Sequence, residues 1–167
     1  MSNKEHLHSA PAHIDISIIT VSTSRTQHED KSGQWLKTQS EKEGHRIASY
    51  DVVPDDRHRI ASTLVDRIEK HRPHAVIMTG GTGIGAADVT IEAVQPMFSK
   101  SMGAFAVLFA QLSFETIDSA ALLSRAAAGI IGKTVVFCLP GSLNACKLAG
   151  KELIFPEIKH IVAHLNV

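Results

Sequence analysis

The sequence predicts a three-layer α/β/α sandwich built on a mainly parallel sheet, and three observations predict it. Short apolar runs alternate with segments of helical period from residue 14 to residue 165. The 167 residues fit one domain long enough to bury most of its apolar surface. The chemically informative residues cluster in four loops that such a fold gathers at the carboxyl ends of its strands, where ligands bind in open α/β sheets.

The elements follow in order. Residues 1–12 are polar and read as a flexible tail, leaving 13–167 as the single domain. Ile14-Asp15-Ile16-Ser17-Ile18-Ile19-Thr20-Val21 alternates and then turns continuously apolar, as a first strand does. Residues 22–30 are loop-like. Ser32 is a candidate cap for a helix over 33–43, with Trp35, Leu36 and Gln39 on one face and Gly44 as its stop. Residues 46–53 form a second strand ended by Pro54. Asp55 or Asp56 can then cap an amphipathic helix whose apolar positions are Ile60, Ala61, Leu64, Val65 and Ile68. Ala75-Val76-Ile77-Met78 is a third, buried strand.

A glycine-rich loop follows, with Asp88 or Thr90 available to cap a helix over 89–94 that Gln95-Pro96 ends or kinks. Residues 105–111 and 119–128 read as further helices, and Gly129 and Gly132 as a break. The run 134–139 is a clear strand that stops at Pro140-Gly141. Ser142 caps a helix to about Leu153, and Pro156 opens a last one ending near Leu165.

Composition narrows the function classes. Lys+Arg and Asp+Glu balance at 17 each, and aromatics make up 5% of the chain, so bulk charge and stacking give no sign of a nucleic-acid partner. No apolar run stands out as long enough to cross a membrane, and the start lacks the apolar core of a signal peptide, so the cytoplasm is the expected compartment. Cys138 and Cys146 have no metal-ligand spacing and read as buried, inert thiols. The 10 histidines are scattered, and none is assigned a role.

The densest signal is Thr79-Gly80-Gly81-Thr82-Gly83-Ile84-Gly85-Ala86-Ala87-Asp88. Glycine permits unusual dihedrals and close backbone approach to a ligand. Successive peptide N–H groups in such a loop form a concavity for an anion, most often phosphate. No Lys-Ser/Thr follows, which excludes a Walker A loop, and the spacing is wrong for a dinucleotide fingerprint. Asp55 and Asp88 each have two readings. They are helix caps, or they are carboxylates that hold magnesium or accept from the N–H groups of a heterocycle. Ser142 lacks the context of a nucleophile and reads as a binding hydroxyl at a helix start.

In combination and order these segments resemble the MoaB/MogA family of molybdenum-cofactor biosynthesis proteins over residues 14–165. The resemblance rests on Thr20-Val21-Ser22, Asp30-x-Ser32-Gly33, Pro54-Asp55, Thr79 to Gly83 with Asp88-Val89-Thr90-Ile91-Glu92-Ala93, and Leu139-Pro140-Gly141-Ser142. Leu112-Ser113-Phe114-Glu115 and Leu123-Ser124-Arg125-Ala126-x-Ala128-Gly129 are similar to the MoaB branch.

The resemblance implies molybdopterin as ligand or substrate, with ATP as co-substrate and Mg2+ as the metal. Active members adenylylate the molybdopterin phosphate and release pyrophosphate. It implies Asp88 and Asp55 as catalytic residues, with Asp88 at the magnesium. It implies substrate and phosphate contacts from Thr20, Ser22, Ser24, Asp30, Ser32, Gly33, Gly80, Gly81, Thr82, Gly83, Glu92, Pro140, Gly141 and Ser142. It also implies a homo-oligomer, trimer or hexamer as a dimer of trimers, and other molybdenum-cofactor enzymes as partners. The chain departs from the family pattern at three positions. Thr23 stands where Asp or Asn is common, and Ala87 and Ala110 where Arg is common. A non-catalytic paralogue that carries molybdopterin is therefore the second reading.

Overall fold

The computed structural model describes residues 11–166. Most of the expected tail therefore lies outside the described residues. The sheet has six strands in the order β2-β1-β3-β6-β5-β4. These are β1 (Asp15–Val21), β2 (Arg46–Val53), β3 (Ala75–Thr79), β4 (Lys100–Ser101), β5 (Ala127–Ile131) and β6 (Thr134–Leu139). The four strands from β2 to β6 run parallel; β5 runs antiparallel to β6, and the short edge strand β4 runs antiparallel to β5. Helices α1 (Lys31–Lys42), α2 (Arg57–His71), α3 (Thr90–Val94), α4 (Gly103–Ile117), α5 (Leu143–Ala149) and α6 (Phe155–Leu165) complete the layers. The three-layer α/β expectation holds.

The period-2 geometry of the central strands explains the two core layers. In β3, Ala75 and Ile77 face one layer while Val76 and Met78 face the other. In β6, Val135, Phe137 and Leu139 pack with the first layer, and Val136 and Cys138 with the second. The first layer is closed by Leu36, Phe105, Phe109, Cys146, Ile158 and Val162. Ile60, Leu64, Ile91 and Val94 close the second. Strands buried on both faces are what parallel sheets require. Cys138 and Cys146 are both buried and free, and burial pushes their thiols up to about 12 and about 11.

Several boundaries differ from the sequence expectation. Asp30, not Ser32, caps α1: its side chain accepts from the Gly33 N–H. Asp56 caps α2 through the Arg59 N–H, which leaves Asp55 for other work. Neither Asp88 nor Thr90 caps α3, whose N-cap is Val89 with no side-chain bond.

The expected helix over 119–128 is replaced by a 3-10 turn, Asp118–Leu123, and the start of β5. Alanine's helix preference yields there to pairing with β6. Gly129 is no break but a mid-strand residue: a Cβ there would meet the Phe98 ring at 2.3 Å. The two expected C-terminal helices are one continuous helical run, joined by a π-turn at Gly150–Ile154.

One exclusion is also corrected. The helical run Gly103–Leu123 is long and apolar enough, by length and composition, to cross a membrane, and only 17% of its most apolar stretch is buried. Gln111 and Thr116 do not interrupt it because they bond one turn along the helix, to Glu115 and to the Leu112 carbonyl. Val107, Leu108, Phe114, Ile117, Leu122 and Leu123 are exposed along it.

Candidate functional site

The carboxyl ends of β1, β2, β3 and β6 open on one side of the sheet, and the four loops leaving them are knitted together by backbone bonds. Ser22 N–H donates to Val53 O at 2.8 Å, and Gly80 N–H to Leu139 O at 3.0 Å. The Thr79 hydroxyl donates to Pro140 O at 2.9 Å. Gly80 (φ 99°) and Gly81 (φ 63°) adopt backbone that other residues rarely enter. A Cβ on Gly80 would lie 2.2 Å from Val21 O, and one on Gly141 would lie 3.1 Å from the Gly80 Cα. The floor of the crevice is thus backbone packed on backbone.

The glycine loop turns back on itself. Thr90 N–H donates to Gly81 O at 2.9 Å and its hydroxyl to Gly80 O at 2.8 Å. Asp88 Oδ2 accepts the Gly85 N–H at 2.8 Å and lies where a Cβ on Gly83 would come within 2.7 Å. Asp88 Oδ1 accepts no hydrogen bond among the described residues. On the outer side Arg125 donates through Nε to Thr82 O at 2.9 Å and to Gly83 O at 3.0 Å. Its Nη1 donates to Glu92 Oε1 at 2.6 Å. That pairing holds the Glu92 carboxyl below the usual carboxylate range.

A trans peptide sets its C=O and N–H on opposite sides. With the Thr82 and Gly83 carbonyls turned toward Arg125, the N–H groups of Gly83 and Ile84 turn away from it. None of the N–H groups of Gly81, Thr82, Gly83 and Ile84 donates to a protein acceptor among the described residues. The Thr82 hydroxyl is also buried without a partner. Gly81 and Gly83 are half-buried and Ile84 is exposed, so the costly group is the buried Thr82 hydroxyl, which a ligand would satisfy.

Asp55 faces this loop from the end of β2. Its Oδ2 accepts both the N–H and the hydroxyl of Thr23 at 2.8 Å, and its own N–H donates to the Thr23 Oγ1 at 3.1 Å. Asp55 Oδ1 lies 3.4 Å from where a Gly81 Cβ would stand. Thr23, one of the departures from the family pattern, is therefore the residue that orients Asp55. Ala87 and Ala110 lie exposed, on the loop and on α4.

The remaining expected residues divide into two sets. Ser22, Ser24, Pro140, Gly141 and Ser142 reach the surface of the crevice. Ser142 accepts the Ala145 N–H at 3.1 Å as the cap of α5, and Ser32 donates to Gly141 O at 2.9 Å. Arg25, Glu29, Lys31, Ser32, Gly141 and Ser142 line a cavity of about 300 Å³ beside it.

Thr20, Asp30 and Gly33, also expected at the ligand, are buried and bonded to one another rather than exposed in the crevice. The Thr20 and Tyr50 hydroxyls both donate to Asp30 Oδ2, and the Gly33 N–H donates to Oδ1. Burial, then the bond to Asp30, raises the Tyr50 hydroxyl well above its ordinary pKa. Glu92 likewise serves Arg125 rather than facing the crevice. Sequence reasoning gave Arg125 no role. Its signal was available: it is the one charge between Asp118 and Lys133.

The family described as "Probable molybdopterin binding domain" matches residues 17–160. Molybdenum cofactor biosynthesis protein B of Bacillus subtilis (strain 168) is 43% identical over 167 residues, covering 99% of this chain and 98% of that one. The protein of the same name from Escherichia coli (strain K12) is 36% identical over 143 residues, covering 86% and 84%. The tungsten cofactor synthesizing protein MoaB from Pyrococcus furiosus superposes with a TM-score of 0.86 at 38% identity, covering 95% of this chain and all of that one. A crystal structure of molybdenum cofactor biosynthesis protein B reaches 0.91 at 42% identity, covering 94% and 98%. With a glycine-rich loop, two flanking carboxylates and these relatives along its whole length, the chain belongs to the MoaB/MogA family of molybdopterin-binding molybdenum-cofactor biosynthesis proteins.

Proposed function

We propose that this protein adenylylates molybdopterin. The molybdopterin phosphate oxygen attacks the α-phosphorus of ATP, the bond to the β-phosphate oxygen breaks, and pyrophosphate leaves. The observation that carries this reading is the cradle itself. Four unpaired backbone N–H groups and the orphan Thr82 hydroxyl lie between Asp55 and Asp88. Such donors suit phosphate oxygens, and phosphoryl-type transfer asks mainly for positioning and charge neutralisation.

Asp88 Oδ1 is a hard oxygen donor of the kind Mg2+ takes. Among the described residues no group of three His, Cys, Asp or Glu could hold a metal, so the ion would share Asp88 with substrate phosphates. When bound, Mg2+ supplies charge neutralisation on the transferring phosphate. Asp55, fixed by Thr23, binds the N–H groups of the pterin. Ser22, Ser24 and Ser142 offer hydroxyls to the remaining phosphate oxygens, and Arg25 and Lys31 supply positive charge at the rim.

The exposed apolar surface of α4 and the 3-10 turn after it supports a homo-oligomer, trimer or hexamer, in which a second copy covers Phe114, Ile117, Leu122 and Leu123. The cytoplasm is the compartment we assign, with other molybdenum-cofactor enzymes as partners. The alanines at 87 and 110 favour a second reading, in which the protein carries molybdopterin without turnover. The experiment combines purified protein, molybdopterin, ATP and magnesium, and follows adenylylated molybdopterin by mass spectrometry with Asp88→Ala as control. Product from wild type and none from the variant supports the enzyme; tight molybdopterin binding with no product selects the carrier.

A further inference from the structure

Helix α6 contributes no residue to the crevice, yet it carries an ordered pair of imidazoles. His160 and His164 are four residues apart, so they stand one above the other on one helix face. Their Nε2 atoms approach to 3.0 Å. One turn before them, Glu157 Oε2 lies 3.2 Å from His160 Nδ1.

A carboxylate only accepts, so His160 carries its proton on Nδ1 and presents the bare lone pair of Nε2. A carboxylate on the far nitrogen is the arrangement that orients metal-binding histidines and raises their basicity. The contact between the two Nε2 atoms is then a hydrogen bond from His164, whose Nε2 proton is released when a cation takes its place. From these contacts we infer that His160 and His164 form a two-point chelate for a divalent transition-metal ion, with Glu157 as the positioning residue.

The donor type narrows the ions: imidazole nitrogen suits Cu2+, Ni2+ and Zn2+, and affinity for such sites is highest for Cu2+, with water completing the coordination. Neutral imidazole suits all three, whereas Mg2+ prefers oxygen, so this pair is chemically separate from any magnesium at Asp88.

The test is calorimetric titration of the full-length protein at neutral pH with CuCl2, NiCl2 and ZnCl2. Wild type is compared with His160→Ala, His164→Ala, the double variant and Glu157→Gln. A His6→Ala/His8→Ala variant identifies binding at the histidines near the start of the chain. One equivalent of Cu2+ or Ni2+ should disappear in either single variant and no further equivalent in the double. Glu157→Gln should keep the equivalent and weaken it about tenfold. Saturating Ni2+ should raise the melting temperature of wild type and not of His164→Ala, since the ion binds the folded helix. Identical equivalents and affinities in wild type and His164→Ala would overturn the assignment. So would loss of every equivalent in the His6→Ala/His8→Ala variant.

Discussion

The floor of the crevice and the outer side of α4 solve opposite problems. At Gly80 and Gly81 contacts leave no room for a methyl group, Gly141 packs tightly on Gly80, and the Thr82 hydroxyl is buried without a partner. Along α4 the backbone is an ordinary helix, and large apolar side chains stand in the open: Phe114 is 59% exposed and Val107 67%. The first region is completed by contacts within one chain. The second leaves large apolar surface uncovered by its own chain. The comparison teaches that in this molecule the crevice is shaped by backbone geometry and the apolar face by side chains.

The largest expected effect comes from the backbone side. Gly80→Ala forces a Cβ against Val21 O at a φ that alanine rarely adopts, and should cost about 3 kcal/mol or more in urea unfolding. A loss under about 1 kcal/mol would mean the floor is softer than described. Next, Phe114→Glu combined with Leu122→Glu places two carboxylates on the exposed apolar surface of α4 and the 3-10 turn after it, and should weaken self-association about a hundredfold or more. Light scattering should then read a monomer that still melts cooperatively. An unchanged assembly mass would show that this face is not the one covered.

Arg125 sharpens the contrast because it is a side chain doing a backbone's work. Arg125→Ala should reduce molybdopterin affinity about tenfold while costing under about 1 kcal/mol of stability, since the pair with Glu92 is partly exposed. Arg125→Lys, which cannot bridge two carbonyls and a carboxylate as a planar fork does, should restore little of it.

The smallest effect concerns the opposite end of the sheet. The His45 Nδ1 accepts the Ile14 N–H at 3.4 Å, and burial, more than the nearby Lys159, lowers its pKa from the ordinary histidine value. The folded state thus disfavours protonation. Its contribution is fully present above the unfolded-state pKa and is lost as pH falls through the lower folded value. Melting temperatures should fall modestly from pH 7 toward pH 5, and His45→Gln should flatten that slope.

The same division marks what could be read from sequence. The parallel half was legible because each strand is a short apolar run bounded by Pro, Gly or Asp, and because the glycine loop states its own geometry. Residues 118–131 were not. Ala127 and Ala128 carry a local helix preference that pairing with Phe137 and Cys138 overrides, and no local signal announces a two-residue strand at Lys100–Ser101. At the site, the aspartates at 55 and 88 were readable as a pair, and their partners were not. Thr23 holds Asp55 across 32 residues and Arg125 holds the Thr82 carbonyl across 43, separations that no window of sequence contains. Nothing in sequence announces that Asp30 is enclosed by the Thr20 and Tyr50 hydroxyls.

The contact between Gly80 and Gly141 has a consequence for how this protein can change over generations. Two loops packed backbone to backbone leave little room to explore: a side chain at Gly80 collides with the Val21 carbonyl, and one at Gly141 presses on Gly80. The segment 24–29 is exposed throughout, with Thr23, which holds Asp55, just before it. Substitutions can accumulate in that rim while the glycine floor stays as it is. The fold thereby separates what a lineage is free to vary from what it must inherit intact.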